Sequence, residues 1–337
     1  MKKLLTVLFA LLIVTVAACS SDNGGESNKL VLYTSTADDN LAVMIPAFEE
    51  EYGIEVEVVT AGTGEIYSRI QAETNNPYAD VTWIGEYYVV SDTSYFEEYV
   101  SPEDEFMGDF KNTSGYVTLT GYNVPVILYN KNLVDFEITS YEDLLHPDLF
   151  GKIAMGNAAA SSSAYNHLEN MLLAMGNGDP FDEAAWQYVE DFYRQLDGRI
   201  VDSSGTIHSG VVSGEYAVGM TWDTPAQTYL SEGIEHIGVV YMDEGVVPKT
   251  AGIAVIKDAK NMENAKRFAD FMASEYGQSL LGTEVTGANP LRPGVDIADY
   301  KQDINEVKTI QITSEWSAEQ QPDIIDRYTD LYLSIFE

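Results

Sequence analysis

Hydroxyl-bearing residues and glycines recur where an apolar, strand-like run gives way to a helical one. Ser35 and Thr36 follow Leu30-Val31-Leu32-Tyr33-Thr34. Thr63 and Gly64 follow the alternating run 54–60, and Glu86 stands in Gly85-Glu86-Tyr87-Tyr88 after the run 79–84. Ser161, Ser162 and Ser163, with Tyr165, precede an apolar helical stretch, and Ser204 lies in Ser203-Ser204-Gly205-Thr206. Segments of this kind hold an oxyanion by donation. Hydroxyls and the unpaired N–H groups of a helix N-terminus bind negative charge without a formal positive one. The same residues are also favoured helix caps and turn formers. Ser35, Thr36, Thr63, Gly64 and Ser204 therefore carry both readings, whereas three consecutive serines at 161–163 favour binding over a plain cap.

Thr221-Trp222-Asp223-Thr224 closes another strand-like run and has a different chemistry. Asp223 is expected to accept from a hydroxyl or ammonium group of a ligand. Trp222 is expected to give a flat apolar or cation–π wall, or else to be a core aromatic. Glu86 is expected to face the ligand as well.

Covalent catalysis has little support. His146, His167, His208 and His236 are scattered, without metal-type spacing. Ser161, His208 and Asp223 make a triad only on paper, because no Gly-x-Ser-x-Gly elbow supports it. No P-loop is present. The expectation is a binding protein, with no catalytic residue, no metal site and no cofactor.

The elements that must carry these loops alternate. A strand opening at Lys29 leads to a helix over 40–52, with Leu41, Met44, Ile45 and Phe48 on one face and Gly53 as its stop. A strand at 54–60, a helix at 65–74 and a strand at 79–84 follow. Strand, helix, strand, helix, strand predicts an α/β sheet, mostly parallel. Beyond Tyr122 the alternation restarts with 124–129, 153–155, a helix carrying Leu168, Met171, Leu172 and Met175, and a helix over 183–196. The runs 239–241 and 250–256 read as a strand pair, 261–274 as a helix, and 322–336 as a C-terminal helix opening on Pro322.

Lys2 and Lys3, an apolar stretch over 4–14 broken by Thr6, and Val16-Ala17-Ala18-Cys19 make a secretory signal over 1–18. The stretch is too short for a permanent membrane span. Residues 19–28 then form a polar tether. Cys19 is the only cysteine, so no internal disulfide forms. The formal charge of −36 rules against nucleic acid and against a basic membrane-binding face. Dispersed acids instead read as a solvated surface.

Several motifs in this order resemble the type 2 periplasmic solute-binding proteins of ABC importers, in the branch of ferric-iron, sugar-phosphate and aminoethylphosphonate binders. They are Leu32-Tyr33-Thr34-Ser35, Ile45-Pro46-Ala47-Phe48-Glu49, Asn123-Val124-Pro125, Phe150-Gly151-Lys152-Ile153 and Gly214-Glu215-Tyr216-Ala217-Val218-Gly219. The resemblance implies two α/β lobes joined by two crossover strands. Lobe 1 would be 29–122 with 246–310, lobe 2 would be 123–245, and 311–337 would pack back across both. Cys19 resembles a lipobox cysteine, which implies a lipid anchor on the outer membrane face. The implied partners are a small-molecule ligand and an ABC permease, and the implied state is a monomer.

A small organic phosphate or phosphonate is the expected ligand, bound by helix N-termini and hydroxyls without basic residues. Ferric iron is the alternative. Against it, Trp222-Asp223 stand where the iron-binding branch has adjacent tyrosines. An organic cation such as thiamine or a polyamine is a third reading, which would use Trp222, Tyr165, Asp223 and Glu86.

Overall fold

The computed structural model describes residues 27–201 and 204–336, with Ser204 described by its backbone alone. Residues 1–18 and Cys19 lie outside the described residues, as does most of the tether.

Among the described residues, ten strands and ten α-helices follow one another along the chain. The strands are β1 (Lys29–Thr34), β2 (Glu55–Thr60), β3 (Val81–Gly85), β4 (Thr118–Asn123), β5 (Pro125–Asn130), β6 (Ile153–Gly156), β7 (Ile200–Val201), β8 (Val218–Trp222), β9 (Ile237–Val240) and β10 (Lys249–Val255). The helices are α1 (Asp38–Tyr52), α2 (Thr63–Ala72), α3 (Glu86–Val90), α4 (Ser162–Met175), α5 (Glu183–Gln195), α6 (Ser204–Ser213), α7 (Asp223–Ser231), α8 (Met262–Ala273), α9 (Glu275–Thr283) and α10 (Ser314–Phe336).

They build two five-stranded sheets, ordered β2-β1-β3-β10-β4 and β7-β6-β8-β5-β9. β10 runs antiparallel to both its neighbours, and so does β5. Each sheet therefore has four strands in one direction and one against them. The two opposed strands are the first that the chain enters after each passage between sheets. β4 leads through Val124 into β5, and β9 leads through 241–248 into β10. The runs at 239–241 and 250–256 are thus not partners, contrary to the sequence reading. Both have strand chemistry, but they serve different sheets.

Local chemistry explains the elements that position the site. In α1, Met44, Ile45 and Phe48 are buried, and Gly53 ends the helix in the left-handed region at φ 66. Phe48 packs edge-on against Phe268 of α8 at 5.0 Å between ring centres. β2 is an edge strand whose outward Glu55 and Glu57 discourage further pairing. Gly252 in β10 is required sterically, since a Cβ there would meet the Thr118 carbonyl at 2.4 Å.

The C-terminal helix begins at Ser314, well before Pro322. Proline favours the first helical turn, which is where the sequence reading placed it. Tertiary contacts override it. Ser314 donates to Glu86, Ser317 donates to Glu169, and the Tyr328 hydroxyl accepts from Ala158 N at 3.3 Å. Farther along, Arg327 pairs with Glu183 and lies over the Trp186 ring at 4.5 Å. Among the described residues no helix is long and apolar enough to cross a membrane.

Candidate functional site

A cleft of about 700 Å³ lies between the two sheets. Helices begin around it from both sides. Ser35, Thr36 and Ala37 line it from the loop between β1 and α1, and Thr63 from the first residue of α2. Tyr87 and Tyr88 line it from α3. Ser162, Tyr165 and Asn166 line it from α4, Trp222 and Thr224 from the β8–α7 junction, and Ser314 and Ser317 from α10. In an open α/β sheet these strand-to-helix junctions are where ligands bind. The Thr63 hydroxyl donates to the Ser35 hydroxyl at 2.8 Å, which ties two of these loops together.

The lining has a marked charge composition. Among the described residues no Asp or Glu lines the cleft, in a chain that carries 54 of them, and Lys249 is the one charged residue that does. The expectation of a site free of basic residues is corrected by Lys249. Its sequence neighbourhood carries no motif; its place depends on where β10 enters the first sheet.

Ser35, Thr36, Thr63, Ser162, Tyr165, Trp222 and Thr224 therefore meet in one cleft, as their positions after strands suggest. Trp222 is half-buried there and belongs to no closed core. Ser204 opens α6, and its side chain lies outside the described residues.

Asp223 does not face the cleft. Its side chain is fully buried, Oδ1 accepts from Val124 N at 3.1 Å, and Oδ2 accepts from Asn289 Nδ2 at 2.7 Å. It ties the first intersheet passage to α7 and to the Asn289 segment. Burial pushes its pKa up to about 7, against the lowering effect of these hydrogen bonds. The role of ligand acceptor is withdrawn for this residue.

Glu86 is also turned to structural use. Its carboxylate accepts from the hydroxyls of Thr250 and Ser314, and from Asn112 Nδ2 at 3.4 Å. Burial raises its pKa. It holds the cleft wall without lining it. Ser161 is the N-cap of α4, its hydroxyl accepting from Ala164 N at 3.3 Å. Ser163 and Gly64 do not line the cleft either. Within one helical turn only some residues point one way, so a cluster of candidates is divided by the turn itself.

Asn40, Asn123, Thr250, Gly287 and Gln321 line the cleft and were not singled out from sequence. Asn40, in the first turn of α1, is 8% exposed, and its carboxamide oxygen has no hydrogen-bond partner. A polar residue at an otherwise apolar helical position was the available signal.

A ferric ion would need phenolate or carboxylate oxygens. Among the described residues no group of three or more His, Cys, Asp or Glu is placed to hold a metal. Tyr87, Tyr88 and Tyr165 supply phenols to the cleft. The Tyr165 pKa is raised by burial and by Glu169 nearby, which opposes a phenolate.

Comparison with known proteins agrees with this geometry. Iron uptake protein A1 of Synechocystis sp. is 26% identical over 317 residues, covering 84% of this chain and 83% of that protein. The periplasmic binding protein AfuA from Actinobacillus pleuropneumoniae, solved with exogenous fructose-6-phosphate bound, superposes with a TM-score of 0.71 at 21% identity. That match covers 90% of this chain and 98% of AfuA. The ferric binding protein from Campylobacter jejuni gives a TM-score of 0.72 at 22% identity, covering 90% and 99%. A two-sheet α/β body with its cleft between the sheets, together with a match over residues 30–283 to the model for bacterial extracellular solute-binding proteins, places the chain in that family.

Proposed function

We propose that this protein captures a small organic phosphate or phosphonate in the intersheet cleft and delivers it to an ABC permease. The observation that carries this reading is that, among the described residues of a strongly acidic chain, no carboxylate lines the cleft and one lysine does. Serine and threonine hydroxyls and the starts of α1, α2, α4 and α7 supply the remaining donors. Residues 29–122 with 246–310 form one closing unit and 123–245 the other, with 311–337 packed across both. Hinge closure around the ligand gives the permease a distinct form to read. No bond in the ligand is broken. A lipid on Cys19 holds a monomer at the outer membrane face.

Against thiamine or a polyamine, Glu86 and Asp223 are spent on structural bonds and no other described carboxylate lines the cleft. A second reading, ferric iron, draws on Tyr87, Tyr88 and Tyr165 in the cleft and on the iron-related names of relatives.

Thermal denaturation against 2-aminoethylphosphonate, fructose 6-phosphate, thiamine, spermidine and ferric citrate separates these readings, because a ligand of the folded state raises its stability. Stabilisation by a phosphate or phosphonate alone is expected. Stabilisation by ferric citrate with a visible tyrosinate–iron band would move the assignment to iron.

A further inference from the structure

Lys249 begins β10 and lines the cleft, with 26% of its side chain exposed. Its ammonium donates to the Glu169 carboxylate on α4 and to the Ser317 hydroxyl on α10, the latter at 3.2 Å. Glu169 has no exposed side-chain surface. It also accepts from the Ser317 hydroxyl and, at 3.4 Å, from the Tyr165 hydroxyl. Three elements from distant parts of the chain thus converge on one amine.

An ammonium has three N–H donors. Two are taken by Glu169 and Ser317, which leaves one. A lysine at an unconstrained position loses several rotatable bonds on meeting a ligand. Here that entropy is lost on folding, so the donor is already ordered when a ligand arrives. The buried carboxylate that seats the amine also offsets its charge. The site then rewards a strong acceptor, such as a phosphoryl oxygen, more than a weak one.

We propose that Lys249 is the residue that meets the ligand's negative charge, with Glu169 and Ser317 as its positioning residues. The C-terminal helix is then part of the ligand site. This rests on the anion reading of the cleft given above.

The test is calorimetric titration of inorganic phosphate and methylphosphonate into the full chain and two variants. The double substitution Lys249→Gln with Glu169→Gln removes both charges at similar volume, so it leaves no unpaired buried charge. Unchanged circular dichroism verifies its fold. It is expected to bind at least about tenfold more weakly than wild type, the scale of one charge-assisted hydrogen bond. Glu169→Gln alone keeps the ammonium and loses its charged seat. It is expected to bind less tightly than wild type but more tightly than the double variant, and binding as tight as wild type would overturn the positioning role of Glu169. Wild-type binding that the double variant retains would overturn the role of Lys249 while leaving the anion reading standing. A loss in Glu169→Gln equal to that of the double variant would assign the effect to the carboxylate and overturn it too. No binding of either probe by wild type would remove the anion reading and Lys249 together.

Discussion

The Asn289 side-chain amide donates a 2.7 Å hydrogen bond to Asp223, and the same amide donates to the Tyr122 carbonyl at 3.3 Å. Gln227 Nε2 in turn donates to Asn289 Oδ1 at 2.7 Å. Asp223 also holds Val124 from both sides, accepting from its N–H and donating its own N–H to the Val124 carbonyl. The first passage between the sheets is therefore clamped by a carboxylate whose direct partners are all neutral. The charges nearest it include Lys301, with Tyr122 and Tyr241 close by.

Asp223 makes stability depend on pH in a defined direction. Its ordinary value is 3.8, and burial raises it to about 7 in the folded protein. Between these values the folded state holds a proton that the unfolded state has released. Its stabilising contribution is complete below about pH 4 and is lost as pH rises to about 7, at a rate approaching 1.4 kcal/mol per pH unit. In urea denaturation, wild type should lose stability relative to Asp223→Asn as pH rises through this window, and the offset should level off above it. A difference that stays constant with pH would contradict the assignment.

His167 acts in the opposite sense. It is fully buried in α4, its Nε2 is 2.8 Å from the Thr221 carbonyl, and Nδ1 has no partner. The carbonyl fixes the proton on Nε2, and burial lowers the pKa from 6.5 to about 4. Stability from the neutral ring is present above pH 6.5 and is lost as pH falls towards 4. The two residues flank the end of β8, so their slopes oppose over the range they share. His167→Gln should therefore show a steeper loss of stability on raising pH from 4.5 to 6.5 than wild type does. Parallel curves for the two proteins would refute this compensation.

Lys301 closes the end of α9. Its buried ammonium donates to the carbonyls of Leu281 and Ala288, each at 2.8 Å, and to that of Val285. This fixes the segment that carries Gly287 to the cleft and Asn289 to Asp223. Lys301→Met keeps the aliphatic stem and leaves these acceptors without a donor. A loss of about 2–4 kcal/mol is expected in equilibrium unfolding. A change within about 0.5 kcal/mol, the range of an ordinary surface substitution, would mean that water replaces the amine.

Chain order made the scaffold legible. Apolar runs alternating with helical spacing gave both sheets, and small hydroxyl residues after strands located Ser35, Thr36, Thr63 and Ser162 at the cleft. What stayed hidden depends on partners far along the chain. Trp222, Asp223 and Thr224 are consecutive, yet only the first and third line the cleft, because Asp223 is claimed by Val124 and Asn289. Lys249 reads as one surface lysine among others until Glu169 and Ser317 are brought beside it. The start of α10 was hidden for the same reason, since Ser314 is fixed by Glu86 through folding and by no local signal.

Ser161 and Ser162 are neighbours with separable roles, and this separation tests the site most directly. Ser161 caps α4 through Ala164 N, whereas Ser162 is exposed and lines the cleft. Of the cleft helices α1, α2, α3, α4, α7 and α10, only α4 carries no acid in its first turn. Its N-terminal partial charge is thus the least offset by its own side chains. Ser161→Ala should cost about 1 kcal/mol of stability, as cap removals do, with the phosphonate affinity measured by calorimetry preserved. Ser162→Ala should leave stability near wild type and weaken phosphonate binding by roughly fivefold or more, the scale of one lost hydrogen bond. Because both variants delete one hydroxyl from adjacent positions, a general disturbance of the helix start would move both measurements together. Only a ligand seated on the first turn of α4 divides them in this way.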